Sequence, residues 1–250
     1  MSSFKESYFL RTAKLIKNNY DVALTVLVID LVFFTAAFFI KGLFPASPIS
    51  QLIYFAVMVL AYSISKFLVI SSISGVFSPK KTEAKLFPKF LGLNAMLAVA
   101  LNVFAFAILF FISMMKPLLG QIMFIVLSLA LLFFFYPLLN FSHSCFSDTK
   151  KFAELLRKSL GMAFAKISSY IGLYLWSIAS MIVLFALWYF IGANSILKDY
   201  AQYYIRFGNN LALYPATIRV YLIALIAIPY LILFFNRFYF YLIAREKGGK

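Results

Sequence analysis

The feature that most limits what this chain can become is a series of six long apolar runs, near residues 20–41, 50–75, 91–115, 118–142, 167–193 and 217–243. Each is long enough to cross a hydrocarbon core as an α-helix, which takes about 20 residues. The runs are continuous, as in SLALLFFFYPLL at 128–139, whereas the strands of a membrane barrel alternate apolar with polar residues and are about half as long. Hydrocarbon offers no partner to backbone N–H and C=O groups, so continuous runs of this kind predict helices, which satisfy those groups internally. Composition argues the same way. With only 12% charged residues, about half the usual share in a soluble domain, the chain cannot coat an apolar interior with polar side chains. The expected fold class is all-α: a polytopic membrane protein with six transmembrane helices in one integral domain over residues 1–250.

Threading follows from the basic residues, since cytoplasmic flanks keep an excess of Lys and Arg. Of the 23 in the chain, 17 fall on alternate flanks: before the first run, between the second and third, between the fourth and fifth, and at the end of the sixth. The opposite flanks hold five, and Lys66 lies inside a run. Both termini are therefore expected on the cytoplasmic side of a cell membrane. A cleaved signal peptide is not expected, because the basic N-terminal segment is long and no short apolar core is followed by a small-x-small site. Cys145 is the only cysteine, so an intrachain disulfide is excluded and a reduced thiol is expected.

Each cytoplasmic flank that precedes a span opens with a helix-start signal. Ser3-Phe4-Lys5-Glu6 has capping-box spacing, Ser78-Pro79 sets a cap before a proline, and Asp148 precedes TKKFAELLRKSLGMAF as an N-cap. Phe4, Tyr8, Thr12, Leu15 and Asn19 share one helical face, with Lys14 and Lys17 elsewhere. Three amphipathic surface helices are thus expected, resting on anionic lipid headgroups through Lys14, Lys17, Lys80, Lys81, Lys151, Arg157 and Lys158. A surface helix followed by two spans then recurs three times, over 3–75, 78–142 and 148–243. Two explanations stand: a duplication, or the basic loops common to helical-hairpin membrane proteins. In the last hairpin, NSILKDYAQYYIRFGNN predicts an outer interfacial helix with Ile196, Tyr200, Tyr203, Tyr204 and Phe207 on one face, against either headgroups or a partner.

The stretch LRTAKLIKNNYDVALTVLVI, a basic helix ending in Lys17-Asn18-Asn19 and running into a span, resembles the unit of poorly characterised six-span prokaryotic membrane proteins. These are grouped with the membrane domain of glycerophosphodiester phosphodiesterases. The likeness is architectural, is clearest over about the first 40 residues and carries no site residues with it. What it implies is a membrane protein without an assigned activity.

Chemistry-bearing motifs are scarce. One His and one Cys, adjacent in His143-Ser144-Cys145, fall short of a metal site, and a histidine at a helix end reads as a local hydrogen-bonding residue. No CxxC, HExxH, P-loop or GxSxG motif occurs. No enzymatic activity, metal or cofactor is expected. The net charge of +15 flanks spans and is accounted for by membrane orientation, so anionic lipid is the expected partner and nucleic acid is not. Two function classes remain open: a scaffold or accessory subunit, with a membrane-protein partner or a second copy of the chain, and a small transporter or channel.

The polar residues inside the runs bear on that choice. Asp30 interrupts LTVLVIDLVFFTAAFF, and an acid at bilayer depth costs a few kcal/mol unless it has a partner. At 1.5 Å per residue, Asp30, Asn102 and Ser177 all come out at about 15 Å depth from the cytoplasmic starts of spans one, three and five, and Lys66 at roughly 12–15 Å from the inner end of span two. An intramembrane polar layer of Asp30, Lys66, Asn102 and Ser177 is therefore expected, centred on an Asp30–Lys66 ion pair. Asn94, Ala98 and Asn102 share the face of span three that would meet it.

Overall fold

The apolar runs end where polar or turn-forming residues free the backbone, and the helices follow those ends closely. The computed structural model describes residues 7–44, 47–77, 83–146, 151–191, 202–206 and 214–245. Its elements are α1 (Tyr8–Asn18), α2 (Tyr20–Gly42), α3 (Pro48–Phe77), α4 (Phe87–Ser113), α5 (Pro117–Cys145), α6 (Phe152–Ala165), α7 (Ile167–Ile191) and α8 (Ala216–Arg245). The fold is all-helical, with no strand among the described residues. Five helices are long and apolar enough to cross a membrane: α2, α3, α4 with the 3-10 turn before it, α5, and α7 over Ile167–Leu184. At 30 residues, α8 has the length of a sixth.

The short helices meet the spans at sharp junctions. Helix α1 begins at Ser7, whose hydroxyl accepts the Leu10 N–H at 3.4 Å. It ends at Asn19, whose backbone N–H and side-chain amide both donate to the Leu15 carbonyl. These bonds satisfy a carbonyl that the last turn of a helix would otherwise leave unpaired. One residue outside helical geometry then separates α1 from α2. Lys166 plays the same part between α6 and α7, its N–H returning to the Met162 carbonyl.

The flank between α3 and α4 differs from this pattern. From residue 83 the chain makes a single 3-10 turn, Ala84–Leu86, that passes directly into α4 at Phe87. A third separate surface helix is therefore not found among the described residues, because Pro88 and the apolar LFPKFLGL sequence start the span itself. The proposed caps at Ser3, Ser78 and Asp148 lie outside the described residues, as do Lys80 and Lys81 and most of the 194–210 segment. Of that segment 202–206 is helical. The helix starts that are described use Ser7 for α1 and Lys151 for α6, the latter with no side-chain hydrogen bond.

By packing, the chain divides into two units. One comprises Met1–Ile167 with Phe238–Lys250, and the other Ser168–Arg237. In the first, α2 packs along α3, α3 along α4, α4 along α5, and α6 on α5. Its core gathers at the end that holds the start of α2 and α4 and the finish of α3 and α5. Phe90 there meets Phe67 at 5.6 Å and Phe146 at 5.0 Å between ring centroids. The last turns of α8 enter this core: Phe238, Tyr239, Phe240, Tyr241 and Ile243 are almost fully buried, against Tyr8, Phe141 and Phe77. Burial all round a helix is the mark of a core element rather than a surface one. In the second unit Trp176 of α7 faces Phe235 of α8 at 6.4 Å, and Tyr203 stands 6.0 Å from Tyr214.

Candidate functional site

Ala23, Val26 and Asp30 lie on one face of α2, three and four residues apart, and all three are buried. On α3, Lys66 stands one turn beyond Tyr62 and between the buried Ser65 and Phe67. Packing α2 along α3 brings the two charges together: Lys66 Nζ is 3.7 Å from Asp30 Oδ1, with side chains 12% and 1% exposed. Asp30 lies about 15 Å along α2 from its first residue, so the pair is far from either helix end. Each charge makes the other tolerable in an apolar surrounding, which neither would be alone.

The cluster continues from Lys66. Its ammonium lies 5.5 Å from the Tyr62 ring centroid, within the range of a cation–π contact. The Tyr62 ring stands 6.1 Å from Phe33 and 6.3 Å from His143. His143 Nε2 is 2.8 Å from Asn94 Oδ1, a buried contact between residues 49 apart in the chain. With a carbonyl oxygen as acceptor, Nε2 carries the proton and donates. Phe90 closes over the imidazole at 5.1 Å. Asn94 is 3% exposed, and its Nδ2 has no partner among the described residues. Leaving a buried amide donor unsatisfied costs about 1–3 kcal/mol.

Beside these groups is a cavity of about 510 Å³. Phe33 of α2, Phe55, Met58, Val59 and Tyr62 of α3, Leu97, Ala98 and Leu101 of α4, and Leu131 and Phe135 of α5 line it. The polar side chains at its wall are those of Tyr62, Asn94, Ser128 and Tyr136. An apolar space with a few polar groups, of several hundred Å³, has the character of a small-molecule site. No known protein family, curated protein or solved structure matches the chain. What the site can do must therefore be read from its own groups. Among the described residues no three potential metal-ligating side chains come together.

The expected polar layer is only partly assembled. Asp30 and Lys66 meet, but Asn102 is exposed on α4, where its Nδ2 donates to the carbonyl of Ala98 at 2.8 Å. Asn94 and Ala98 reach the cavity and Asn102 does not, although the three share a stripe. Ser177 belongs to the second unit, with its hydroxyl buried and without a partner among the described residues. His143 goes beyond the sequence reading of a helix-end residue: it bonds Asn94, 49 residues away on the neighbouring helix. The signal available was an asparagine near the start of α4 and a histidine near the end of α5, which pack side by side. Cys145 is buried, with Sγ 3.5 Å from Met162 Sδ of α6. Of the headgroup candidates, Lys14 and Lys17 on α1 and Lys151, Arg157 and Lys158 at α6 are exposed, while Thr12 on α1 and Leu155 and Ser159 on α6 are buried.

Proposed function

We propose that the protein is a six-span cell-membrane protein without enzymatic activity, with both termini cytoplasmic, that serves as a scaffold or accessory subunit. The observation that carries this reading is how the first unit divides its side chains. Buried polar groups join helices at one end, while the opposite halves of α2, α4 and α5 present Phe38, Phe39, Phe106, Phe111 and Leu118 outward. Large apolar side chains left uncovered in this way suit lipid or the helices of another membrane protein. The exposed lysines of α1 and α6 suit anionic headgroups on the cytoplasmic side. The likeness to six-span proteins grouped with the phosphodiesterase membrane domain belongs to the same proposal.

Reporter fusions at each terminus test the threading: both are expected to be active only in the cytoplasm, and an external C-terminus would mean a different number of spans. Co-purification from native membranes tests the role. A stable stoichiometric membrane-protein partner, or a defined homo-oligomer, supports the scaffold reading. The second reading, a small transporter or channel, is favoured by the cavity beside the Asp30–Lys66 pair. It predicts a monomer without partners that particular solutes stabilise against heat.

A further inference from the structure

We infer that the cavity between α2, α3, α4 and α5 is a binding site for one long-chain amphiphile drawn from the bilayer, whose neutral carbonyl oxygen accepts a hydrogen bond from Asn94. The inference rests on the membrane reading of the chain and on neither of the two proposed roles. Three observations carry it. The cavity, at about 510 Å³, is walled mainly by Phe, Leu, Met and Val side chains, so its occupant is chiefly hydrocarbon. Asn94 stands at the wall with Oδ1 held by His143, while Nδ2 is buried without a partner. The neighbouring cation is already matched, Lys66 by Asp30, so the site has no uncompensated positive charge to attract an anionic headgroup.

The hydrogen-bond arithmetic fixes the kind of oxygen. Nδ2 is a donor and needs an acceptor, which an ester, amide or ketone carbonyl supplies and a hydrocarbon does not. Asn94 is among the residues that line the cavity, and Nδ2 is the polar atom of that side chain left without a partner among the described residues. His143 keeps the amide oriented by donating to Oδ1, so that Nδ2 is the end offered to a ligand. In hydrocarbon the gain comes from satisfying a donor that has no water to turn to.

The full-length protein in phosphatidylcholine nanodiscs, given a diazirine-bearing fatty acyl methyl ester and irradiated, tests this directly. Label is expected on Met58, Leu97 and Leu131 well above the level on the outward-facing Phe106 and Phe111. Asn94→Leu is expected to lower cavity labelling about two- to twelve-fold, the worth of one hydrogen bond of about 0.5–1.5 kcal/mol. A diazirine alkane of equal length should be insensitive to that change. Leu97→Trp, which fills the cavity while keeping Asn94, should abolish labelling of Met58 and Leu131 and leave Phe106 unchanged. If Leu97→Trp does not fold, Leu131→Trp from the facing helix serves the same purpose. Equal label on cavity and outer residues, or cavity label unmoved by either tryptophan, would mean that ordinary surrounding lipid fills the space and would overturn the proposal. Ester and alkane responding alike to Asn94→Leu would overturn the role of the amide. Extraction of the protein by alkaline carbonate would instead refute the membrane reading itself.

Discussion

The two halves of the same helices behave as different materials. Near the starts of α2 and α4 and the ends of α3 and α5, side chains interlock: Val26, Phe90, Leu93, Phe141 and Phe238 have no exposed surface or almost none. Toward the opposite ends, Phe38, Phe39, Phe106, Phe110 and Phe111 stand outward. Phenylalanine is abundant in both regions, so aromatic content alone does not set the difference. In a membrane, lipid solvates phenylalanine as well as another helix does, and packing plus polar contacts decide which surfaces meet. The packed end is where the charges, the His143–Asn94 bond and the aromatic turns of α8 are concentrated. Toward the other end Asn102 bonds within its own helix, to the carbonyl of Ala98.

If polar pairing holds the packed end, its largest single dependence is the ion pair. Lys66→Met removes the ammonium beside the buried Asp30 carboxylate, and should destabilise by about 3–5 kcal/mol. Asp30→Asn should be costly for the reciprocal reason. The double change removes both charges and should recover most of the loss, a non-additivity readable in denaturant or thermal unfolding of the detergent-solubilised protein. Additive losses would show that the two residues do not depend on one another, and the packed end would need another explanation.

Next in size is the contrast between phenylalanines. Phe90→Ala opens a void among Phe67, Phe146 and His143, and since lipid cannot enter it the cavity alone should cost on the order of 2 kcal/mol. Phe110→Ala at the outward end should cost less than about 0.5 kcal/mol, because lipid fills the gap. Equal effects in the same unfolding measurement would mean that the outward ends are buried in solution by a partner or a second copy of the chain. His143→Phe should be milder, about 1 kcal/mol, since it keeps the ring contact with Phe90 but leaves both polar atoms of Asn94 unpaired. A loss no larger than that of Phe110→Ala would show that the bond does not hold α4 to α5.

What could be read in advance tracks the same division. Span positions follow from run length, because hydrocarbon penalises any break in a helix. Asp30 and Lys66 could be matched by depth because a lone charge is so costly there that an acid and a base at one level leave few alternatives. Asn102 could not be placed that way: an amide can satisfy itself on its own helix, as it does with Ala98, and equal depth says nothing about which face a neighbour covers. His143 and Asn94 escaped for the opposite reason. Their partnership spans 49 residues and depends on how far α4 and α5 converge, which periodicity does not record. The Ser78-Pro79 signal likewise suggested a separate helix, but the described part of that flank, from residue 83, shows only a short turn into α4. A capping pattern states where a helix can start, not how many turns will precede the span.

The smallest effects should come from the surface helices, and they sharpen the comparison by adding a third environment. On α1, Thr12 is buried while Lys14 and Lys17 are exposed; on α6, Ser159 is buried beside the exposed Lys158. Alanine at any of these lysines should change unfolding stability by no more than about 0.5 kcal/mol, because each ammonium is already in a polar medium. A nitroxide label separates the faces more finely than stability can. At 14, 17 and 158 it should relax readily with a water-soluble nickel chelate, at 12 and 159 it should not, and at 106 it should respond to oxygen dissolved in the lipid. Raising the phosphatidylglycerol content should reduce the chelate's access at 14 and 17, since each lysine near an anionic surface gains about 1 kcal/mol from it. A label at 14 as protected as one at 12 would place α1 inside the bundle. The packed end would then extend one helix further, with the lysine ammonium groups no longer available to the headgroups.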